Sequence, residues 1–263
     1  MNKPALAWRR LPSSPLPPSD SDFASRDSAL TRKFDSFVRL DAQDKRLLND
    51  FCRQPRLAPA GQDLIREYER VEKTYVLLDG WGYRYKSLDN GKRQIISFLI
   101  PGDICDVYAF VSRKMDYSVG LLTDANVATS SLSNLWDLLW SSPRIGQAFF
   151  RSTIVDEGIL RERLVSIARR NALERLSHFL CETWTRLEQV GLTADDTAPF
   201  PFTQEQLGDT LGLTAVHLNR TLQILRTRGL ISLSHRTLRI HDPHELRQIA
   251  GFDASYLSVD EMV

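Results

Sequence analysis

The spacing of apolar residues changes along the chain, and the change separates a strand-rich region from the helices that follow it. Between residues 61 and 133 short apolar runs alternate with turn signals, which is typical of antiparallel strands. The strongest of these signals is the pair Asn90-Gly91, because both centre positions of a type I′ hairpin turn need a positive φ. Residues 35–53 instead show the spacing of short helices. The pattern therefore predicts short helices followed by an antiparallel β-roll.

One long helix is predicted from Pro143 to about Arg170. Its apolar residues cover more than one narrow stripe, which indicates a helix that is buried on two sides. We expect one side to pack on the β-roll and the other on the same helix of a second chain. Burial of both sides within one chain is the alternative. The residues expected at the dimer contact are Phe149, Val155, Ile159, Leu164 and Ile167.

Residues 202–240 show the pattern of a helix–turn–helix followed by a two-stranded wing. Thr203 and Thr214 are placed to cap two amphipathic helices, and Gly212 can end the first of them. A helix–turn–helix presents the outer face at the start of its second helix to the major groove. We expect four residues on that face to contact bases: Val216, His217, Asn219 and Arg220.

Charge is segregated in the same region, although the 263-residue chain has a net charge of only +1. Residues 210–241 contain no acidic residue but five arginines. A surface of one sign suits contacts with phosphates, so double-stranded DNA is the expected partner. A helical hairpin with a solvated arginine face is the alternative. The expected contacts with the DNA backbone are Thr203, Thr214, Arg226, Arg228, Arg236 and Arg239.

Composition limits the remaining classes of protein. Hydrophobic residues make up 42% of the chain and charged residues 25%, as in ordinary globular domains. No apolar run is long enough to span a membrane, and the proline-rich N-terminus lacks the apolar core of a signal peptide. Cys52, Cys105 and Cys181 are widely separated, which favours free thiols in a reducing cytoplasm. His178 is the first histidine, so a metal site is not expected in residues 1–177.

These patterns predict an α+β protein of five parts. They are a flexible Pro/Ser-rich tail (1–33), an antiparallel β-roll sensor domain (34–142), a dimerisation helix (143–170), a winged helix–turn–helix domain (171–250) and a C-terminal tail (251–263).

The order of these parts resembles the Crp/Fnr superfamily of bacterial transcription regulators. The matching motifs are PGD at 101–103, NALERLSHFL at 171–180 and TQEQLGDTLGLTAVHLNRTLQILRTRGLI at 203–231. The PGD motif is weak by itself, whereas the ordered set is specific. The resemblance implies a roll like a cyclic-nucleotide-binding domain, a homodimer and an operator that is an inverted repeat. RNA polymerase is a further implied partner if the protein is an activator.

The family commonly reads bases with a Glu and, four positions later, an Arg. Arg220 matches that arginine, which implies a bidentate hydrogen bond to guanine. Val216 stands at the glutamate position, so its methyl groups would pack on a thymine methyl instead. The resemblance therefore implies a specificity that differs from that of the best-known members.

The family's cyclic-nucleotide cassette has a Gly-Glu pair for the ribose and an Arg followed by Ser or Thr for the phosphate. Here Cys105-Asp106 and Tyr117-Ser118 stand at those places, so the guanidinium is missing and no cyclic nucleotide is expected. Binding of an effector of other chemistry in this region and DNA binding without any effector are both left open, since some family members are active without a ligand. The candidate pocket residues are Ile104, Cys105, Asp106, Arg113, Tyr117 and Ser118.

No cofactor is expected. Iron–sulfur sensors of the Fnr type use four cysteines, mostly near the N-terminus, and this chain has three dispersed ones. Cys105 is either a redox-sensing thiol or inert packing, and the second interpretation is favoured.

Two other classes of protein are alternatives to a regulator. The first is an enzyme on a cupin-like barrel with an accessory C-terminal domain, but the roll lacks histidine and a glycine-rich phosphate loop. The second is an interaction protein whose winged helix binds protein or RNA, which the acid-free arginine face does not favour. We therefore expect a dimeric, sequence-specific DNA-binding transcription regulator and no enzyme.

Overall fold

A computed structural model describes residues 27–106 and 114–258. Two helices, α1 (Ala29–Phe37) and α2 (Ala42–Phe51), come first. Helix α1 begins inside the segment 1–33 that was expected to be a tail, so that boundary is wrong. Ser28 caps the helix by accepting from the amide of Thr31, and Leu30 is fully buried. Residues 1–26 of the predicted tail lie outside the described residues.

The β-roll consists of two antiparallel sheets. Its strands are β1 (Pro55–Ala58), β2 (Asp63–Ile65), β3 (Lys73–Leu77), β4 (Gly82–Ser87), β5 (Arg93–Leu99), β6 (Ser118–Leu121) and β7 (Ala125–Ser131). One sheet has the order β1-β7-β3 and the other the order β2-β6-β4-β5. Leu77, Leu99, Val119 and Val127 are buried between them. The predicted antiparallel roll is confirmed.

The hairpin predicted at Asn90-Gly91 joins β4 and β5, but its turn differs from the expected type I′. Only Gly91 has a positive φ, of 78°. The amide of Gly91 donates to the carbonyl of Leu88, and the amide of Leu88 donates to that of Lys92. The loop is therefore longer than two residues, so it needs a left-handed residue at one position rather than two.

Three helices follow the roll: α3 (Leu132–Ser141), α4 (Pro143–Ala168) and α5 (Ala172–Gln189). Ser142 caps α4 and Pro143 occupies its first turn, where a missing amide hydrogen costs nothing. Asn171 and Glu174 form a capping box that begins α5. Within the described residues, no helix combines the length and the apolar character that crossing a membrane requires.

The C-terminal domain is a winged helix–turn–helix. Its elements are β8 (Thr197–Pro199), α6 (Gln204–Leu211), α7 (Ala215–Thr227), β9 (Ile231–Ser234), β10 (Thr237–Ile240) and α8 (Pro243–Ala250). The wing has a third strand that the sequence did not predict, because β8 pairs with β10. The architecture of roll, long helix and winged helix–turn–helix confirms the expected fold.

The chain after α8 does not form the tail expected at 251–263. Residues Ala254–Leu257 form a 3-10 turn, and Leu257 is fully buried. The reason is that Tyr256 and Leu257 supply apolar surface that packs against α4 and α5. Residues 259–263 lie outside the described residues.

The roll and the C-terminal domain share one apolar core. The ring of Phe202, just before α6, lies 5.1 Å from that of Trp81 and 4.3 Å from that of Phe98. Arg93 of β5 adds to this contact, because its Nε and Nη2 both donate to Oδ2 of Asp209 in α6, at 2.9 and 2.8 Å. The helix–turn–helix is therefore held directly on the strand side of the roll.

Candidate nucleic-acid interface and the interior of the roll

The first helix of the helix–turn–helix is fixed by its caps. Thr203 Oγ1 accepts from the amide of Gln206, and Gln206 Oε1 accepts from the amide of Thr203. Gly212 ends the helix with a φ of 62°. A Cβ at Gly208 would lie 2.8 Å from the carbonyl oxygen of Leu213, in the turn after the helix. Its role is thus to make room for the turn.

Helix α7 presents the outer face that the sequence predicts. Thr214 caps it by accepting from the amide of His217. Its buried side consists of Leu218, Leu222 and Leu225. The opposite side is exposed to solvent along the first turns, at Ala215, Val216, His217, Asn219 and Arg220.

Asn219 is not independent of the first helix. Its side-chain amide donates to Gln204 Oε1 at 3.1 Å, and Gln204 Nε2 donates to Asn219 Oδ1 at 2.7 Å. The pair fixes both amides at the edge of the exposed face. Because a carboxamide has two donors and two lone pairs, each keeps hydrogen-bonding capacity toward a ligand. Gln204 is therefore a candidate contact that the sequence reading missed.

The wing places positive charge beside this face. His235 and Arg236 form the two-residue turn between β9 and β10, with φ values of 48° and 61°. Two successive left-handed residues are what a type I′ turn requires. The exposed arginines of this surface, none of which forms an ion pair within the described residues, are Arg220, Arg226, Arg228, Arg236 and Arg239.

The residues expected to form an effector pocket are mostly inside the roll. Ile104, Cys105, Asp106 and Ser118 are buried and Tyr117 is half-buried, whereas Arg113 lies outside the described residues. Asp106 Oδ1 accepts from Thr74 Oγ1 at 2.9 Å, while its Oδ2 has no hydrogen-bond partner among the described residues. Burial raises the pKa of Asp106 to about 7.

Arg84 of β4 fills the space beside these residues, which the sequence gave no reason to expect. Its guanidinium donates to the carbonyl oxygens of Cys105 and Ile104 at 3.2 and 3.0 Å and to Asp156 of α4 at 2.9 Å. It also lies 5.9 Å from the ring centre of Tyr117. Burial opposes the charged form, but Asp156, Tyr117 and Asp103 together raise the pKa of Arg84. The residue therefore links the roll to the long helix.

Both faces of β4 are covered, which explains why Arg84 is buried. Tyr83 and Tyr85 share one face, where their rings lie 5.3 Å apart and Tyr83 belongs to the core shared with the C-terminal domain. Arg84 lies on the opposite face, toward Ile104 and Cys105, as the alternation of a strand requires. The residue type gives no sign that an arginine occupies this interior position.

The three cysteines are buried thiols. Burial raises the pKa of Cys52 and of Cys181 to about 12, and it also raises that of Cys105. A thiol with a raised pKa carries little thiolate near neutral pH, which is the reactive form. The described residues hold no group of three or more His, Cys, Asp and Glu side chains placed to bind a metal ion.

Two of the residues expected at the dimer contact lie on the face of α4 that packs against its own chain. Val155 and Ile159 are only 4% and 2% exposed, because they pack on the roll side of the same chain. Phe149 is partly buried in that cluster as well. Leu164 and Ile167 are 70% and 39% exposed. Assigning Val155 and Ile159 to a contact with a second chain is therefore wrong.

Two protein-family models match the chain. A model described as the cyclic nucleotide-binding domain matches residues 55–141, and one described as the Crp-like helix-turn-helix domain matches residues 174–249.

Similar curated proteins include the nitrogen fixation regulation protein FixK of Bradyrhizobium diazoefficiens. It is 26% identical over 231 residues, which cover 88% of this chain and 93% of that protein. The transcriptional activator protein FnrL of Cereibacter sphaeroides is 25% identical over 203 residues, covering 74% of this chain and 79% of that protein.

Solved structures show the same fold. The structure of FixK2 from Bradyrhizobium japonicum superposes with a TM-score of 0.68 at 22% identity, covering 76% of this chain and 98% of that one. The c-di-GMP responsive regulator CLP of Xanthomonas campestris gives a TM-score of 0.60 at 16% identity, covering 77% and 100%.

Proposed function

The chain belongs to the Crp/Fnr family of DNA-binding transcription regulators, and on that premise we propose that two copies of it bind an inverted-repeat operator. The observation that carries this proposal is the exposed N-terminal face of α7, flanked by arginines without ion-pair partners among the described residues. In a symmetric dimer the two α7 helices would enter successive major grooves, about 34 Å apart. The target is chromosomal DNA, so the proposed location is the cytoplasm.

The exposed face of α4 supports a dimer. Four apolar side chains on it are exposed: Phe150, Leu160, Leu164 and Ile167. Phe150 and Leu164 are fourteen residues apart, and Leu160 and Ile167 are seven apart, so the four fit a seven-residue repeat. Glu157 completes the stripe and pairs with Arg161 at 2.7 Å. A repeat of 3.5 residues suits two helices packed side by side, and a charged position within it can fix their register. The dimer face proposed from the structure therefore keeps Leu164 and Ile167, adds Phe150 and Leu160, and omits Val155, Ile159 and the partly buried Phe149.

Base reading is assigned to the first turns of α7. Arg220 would donate two hydrogen bonds to guanine O6 and N7, and Val216 would pack on a thymine methyl group. His217 lies between them on the exposed face. Asn219 would act together with Gln204, because the two amides are already bonded to each other.

Contacts with the DNA backbone are assigned to the helix starts and to the arginines around them. The hydroxyls of Thr203 and Thr214 already accept from amides of their own helices, so each would serve a phosphate mainly as a donor. Arg236 at the wing tip and the other exposed arginines, Arg226, Arg228 and Arg239, add positive charge along the same surface.

The interior of the roll supports regulation without a cyclic nucleotide. Arg84 occupies the space beside Ile104 and Cys105 and bonds to Asp156 of α4. The chain thus supplies its own link between roll and dimer helix. RNA polymerase is a further proposed partner if the bound protein activates transcription.

Selection of genomic fragments by the purified protein, without added small molecules and at physiological salt, tests this proposal. A shared inverted repeat is the expected result. Arg220→Ala should relax the preference at one base pair of each half-site, whereas Arg239→Ala should weaken binding to all sequences alike. Sequence-blind binding by the wild-type protein would contradict the proposal.

A further inference from the structure

The segment that follows the last helix is wedged between the long helix and the first helix of the DNA-binding domain. Its residue Leu257 is fully buried, and the carbonyl oxygen of Leu257 accepts from Gln189 Nε2 of α5. On the other side it contacts Gly158 of α4. A Cβ at Gly158 would lie 3.1 Å from the carbonyl oxygen of Tyr256, which is tighter than most Cβ contacts in proteins, so the close approach of α4 to the segment favours glycine here.

A buried polar cluster ties the three elements together. Glu182 of α5 accepts from Arg163 of α4 at 3.0 Å and from the Tyr256 hydroxyl at 2.9 Å. Both carboxylate oxygens are used, and Glu182 and Arg163 are almost fully buried. His178 stacks on the ring of Tyr256 with an interplanar angle of 11°. Burial lowers the pKa of His178 to about 4, so its ring is neutral near pH 7.

The cluster lies across the joint between α4 and α5. That joint is short, since α4 ends at Ala168 and α5 begins at Ala172. Arg175 bonds one side of it, because its guanidinium donates to the carbonyl oxygens of Ile167 and Leu211 at 3.1 and 2.6 Å. The terminal segment adds a second bond near this joint, because the Tyr256 hydroxyl donates to Glu182 of α5.

The chemistry of this cluster indicates a role beyond stability. A buried ion pair gives up hydration, and well-packed apolar residues of similar volume are often as stabilising or more so. Directional bonds instead favour one orientation of the elements that carry them. Here the partners belong to α4, to α5 of the DNA-binding domain and to the terminal segment. The bonds therefore favour one orientation of the DNA-binding domain on α4.

We propose that Arg163, Glu182 and Tyr256 are positioning residues that set the half-site spacing the dimer accepts. The inference rests on the proposed function, because the distance between two α7 helices corresponds to a half-site spacing only when a dimer binds an inverted repeat. Spacing follows from geometry: a change in the angle at the joint moves α7 relative to the dimer axis.

The test uses Tyr256→Phe in the full chain, which removes one hydroxyl and keeps the aromatic ring. Binding is measured on the selected operator and on copies whose half-sites are one base pair closer or farther apart. We expect affinity for the native spacing to change little, while discrimination against altered spacings falls about tenfold, as a lost bond to a charged group suggests. Tyr68→Phe, at an exposed tyrosine, is the matched control.

Gly158→Ala is a second variant, which alters the contact between α4 and Tyr256. The added methyl group would displace Tyr256, so it should relax spacing discrimination in the same way. Gly146→Ala is its control, because it adds a methyl group with similar clearance in the first turn of the same helix, against Leu139.

Melting temperature separates the two roles. If Tyr256→Phe lowers the melting temperature but keeps full spacing discrimination, the cluster is merely structural and the inference is overturned. If the wild-type protein itself prefers no inverted repeat, the proposed function fails, and with it this inference.

Discussion

Asp156→Ala removes one partner of the ion pair that links the roll to the long helix. Arg84 would then keep its bonds to the carbonyl oxygens of Ile104 and Cys105 but lose its only carboxylate among the described residues. The Arg84 and Asp156 side chains are 10% and 20% exposed, so water screens the pair weakly. Removing one partner of a buried pair costs about 3–5 kcal/mol. We expect the lower end of that range, since the remaining carbonyl contacts and the partial exposure of Asp156 soften the loss.

Urea unfolding at one fixed chain concentration measures this free energy, because association of two chains makes apparent stability depend on concentration. Asp50→Ala is the matched control. Asp50 pairs with Arg53, but the two side chains are 60% and 75% exposed, so its removal should change stability by less than about 0.5 kcal/mol.

A double variant isolates the pair from other effects of the substitution. Arg84→Met together with Asp156→Leu replaces both charges with apolar side chains, and it should regain much of the lost stability. Equal losses for Asp156→Ala and Asp50→Ala, or a double variant less stable than the single one, would refute the reasoning that the pair is buried and coupled.

Three further expectations concern other parts of the molecule. Leu164→Asp, at an exposed position of α4, should give a folded chain by circular dichroism and a monomer by light scattering. Ile159→Asp, at a buried position of the same helix, should unfold the chain. A folded Leu164→Asp variant that still forms dimers would contradict the proposed face. Folded Asp106 keeps its proton between about pH 4 and about pH 7 and the unfolded chain releases it, so its contribution to the unfolding free energy should fall as pH rises, whereas buried His178 contributes a rise over much of the same window. Asp106→Asn should lack the falling contribution, so the difference in unfolding free energy between the two proteins in urea titrations should change with pH, and an identical pH profile for both would be evidence against the burial argument. Arg220→Ala should cost about 1–3 kcal/mol at the specific site, and an unchanged footprint would rule out the guanine contact.

Local rules were enough to predict the helix–turn–helix. Thr203, Gly212 and Thr214 act within one turn of their own position, through a cap or a left-handed φ. The leucines of α7 recur at helical spacing and are buried as expected. Such signals need no knowledge of the rest of the chain, which is why they can be read from the sequence.

The long helix shows where this reasoning stops. Its buried side includes Arg151, Gly158 and Arg163, while the exposed side carries Phe150 and Leu164. Apolar residues therefore occupy both faces, and hydrophobicity does not tell which face meets the roll. The decision lies in distant partners: Arg163, for example, is buried because Glu182 lies opposite it.

Arg84 and the terminal segment were missed for a related reason. Arg84 lies on the inner face of β4, but the C-terminal domain covers the opposite face as well, so alternation along the strand does not identify which face is the interior. The turn at Ala254–Leu257 has only four residues, which is too few to show a helical spacing of apolar positions. Their burial depends on Gly158, more than ninety positions earlier in the chain.

Trp81 and Phe98 of the roll pack against Phe202 of the C-terminal domain in one shared apolar core. A fragment containing only the C-terminal domain would lack both roll residues and expose Phe202 and its apolar neighbours to water, so we expect it to aggregate or to unfold rather than to fold autonomously. Roll and reading domain should melt as one cooperative unit. Recombination that exchanged one roll for another would succeed only where the incoming strands bring matching aromatic residues. Exchange of the DNA-binding domain between proteins is thus limited by the roll surface on which it packs.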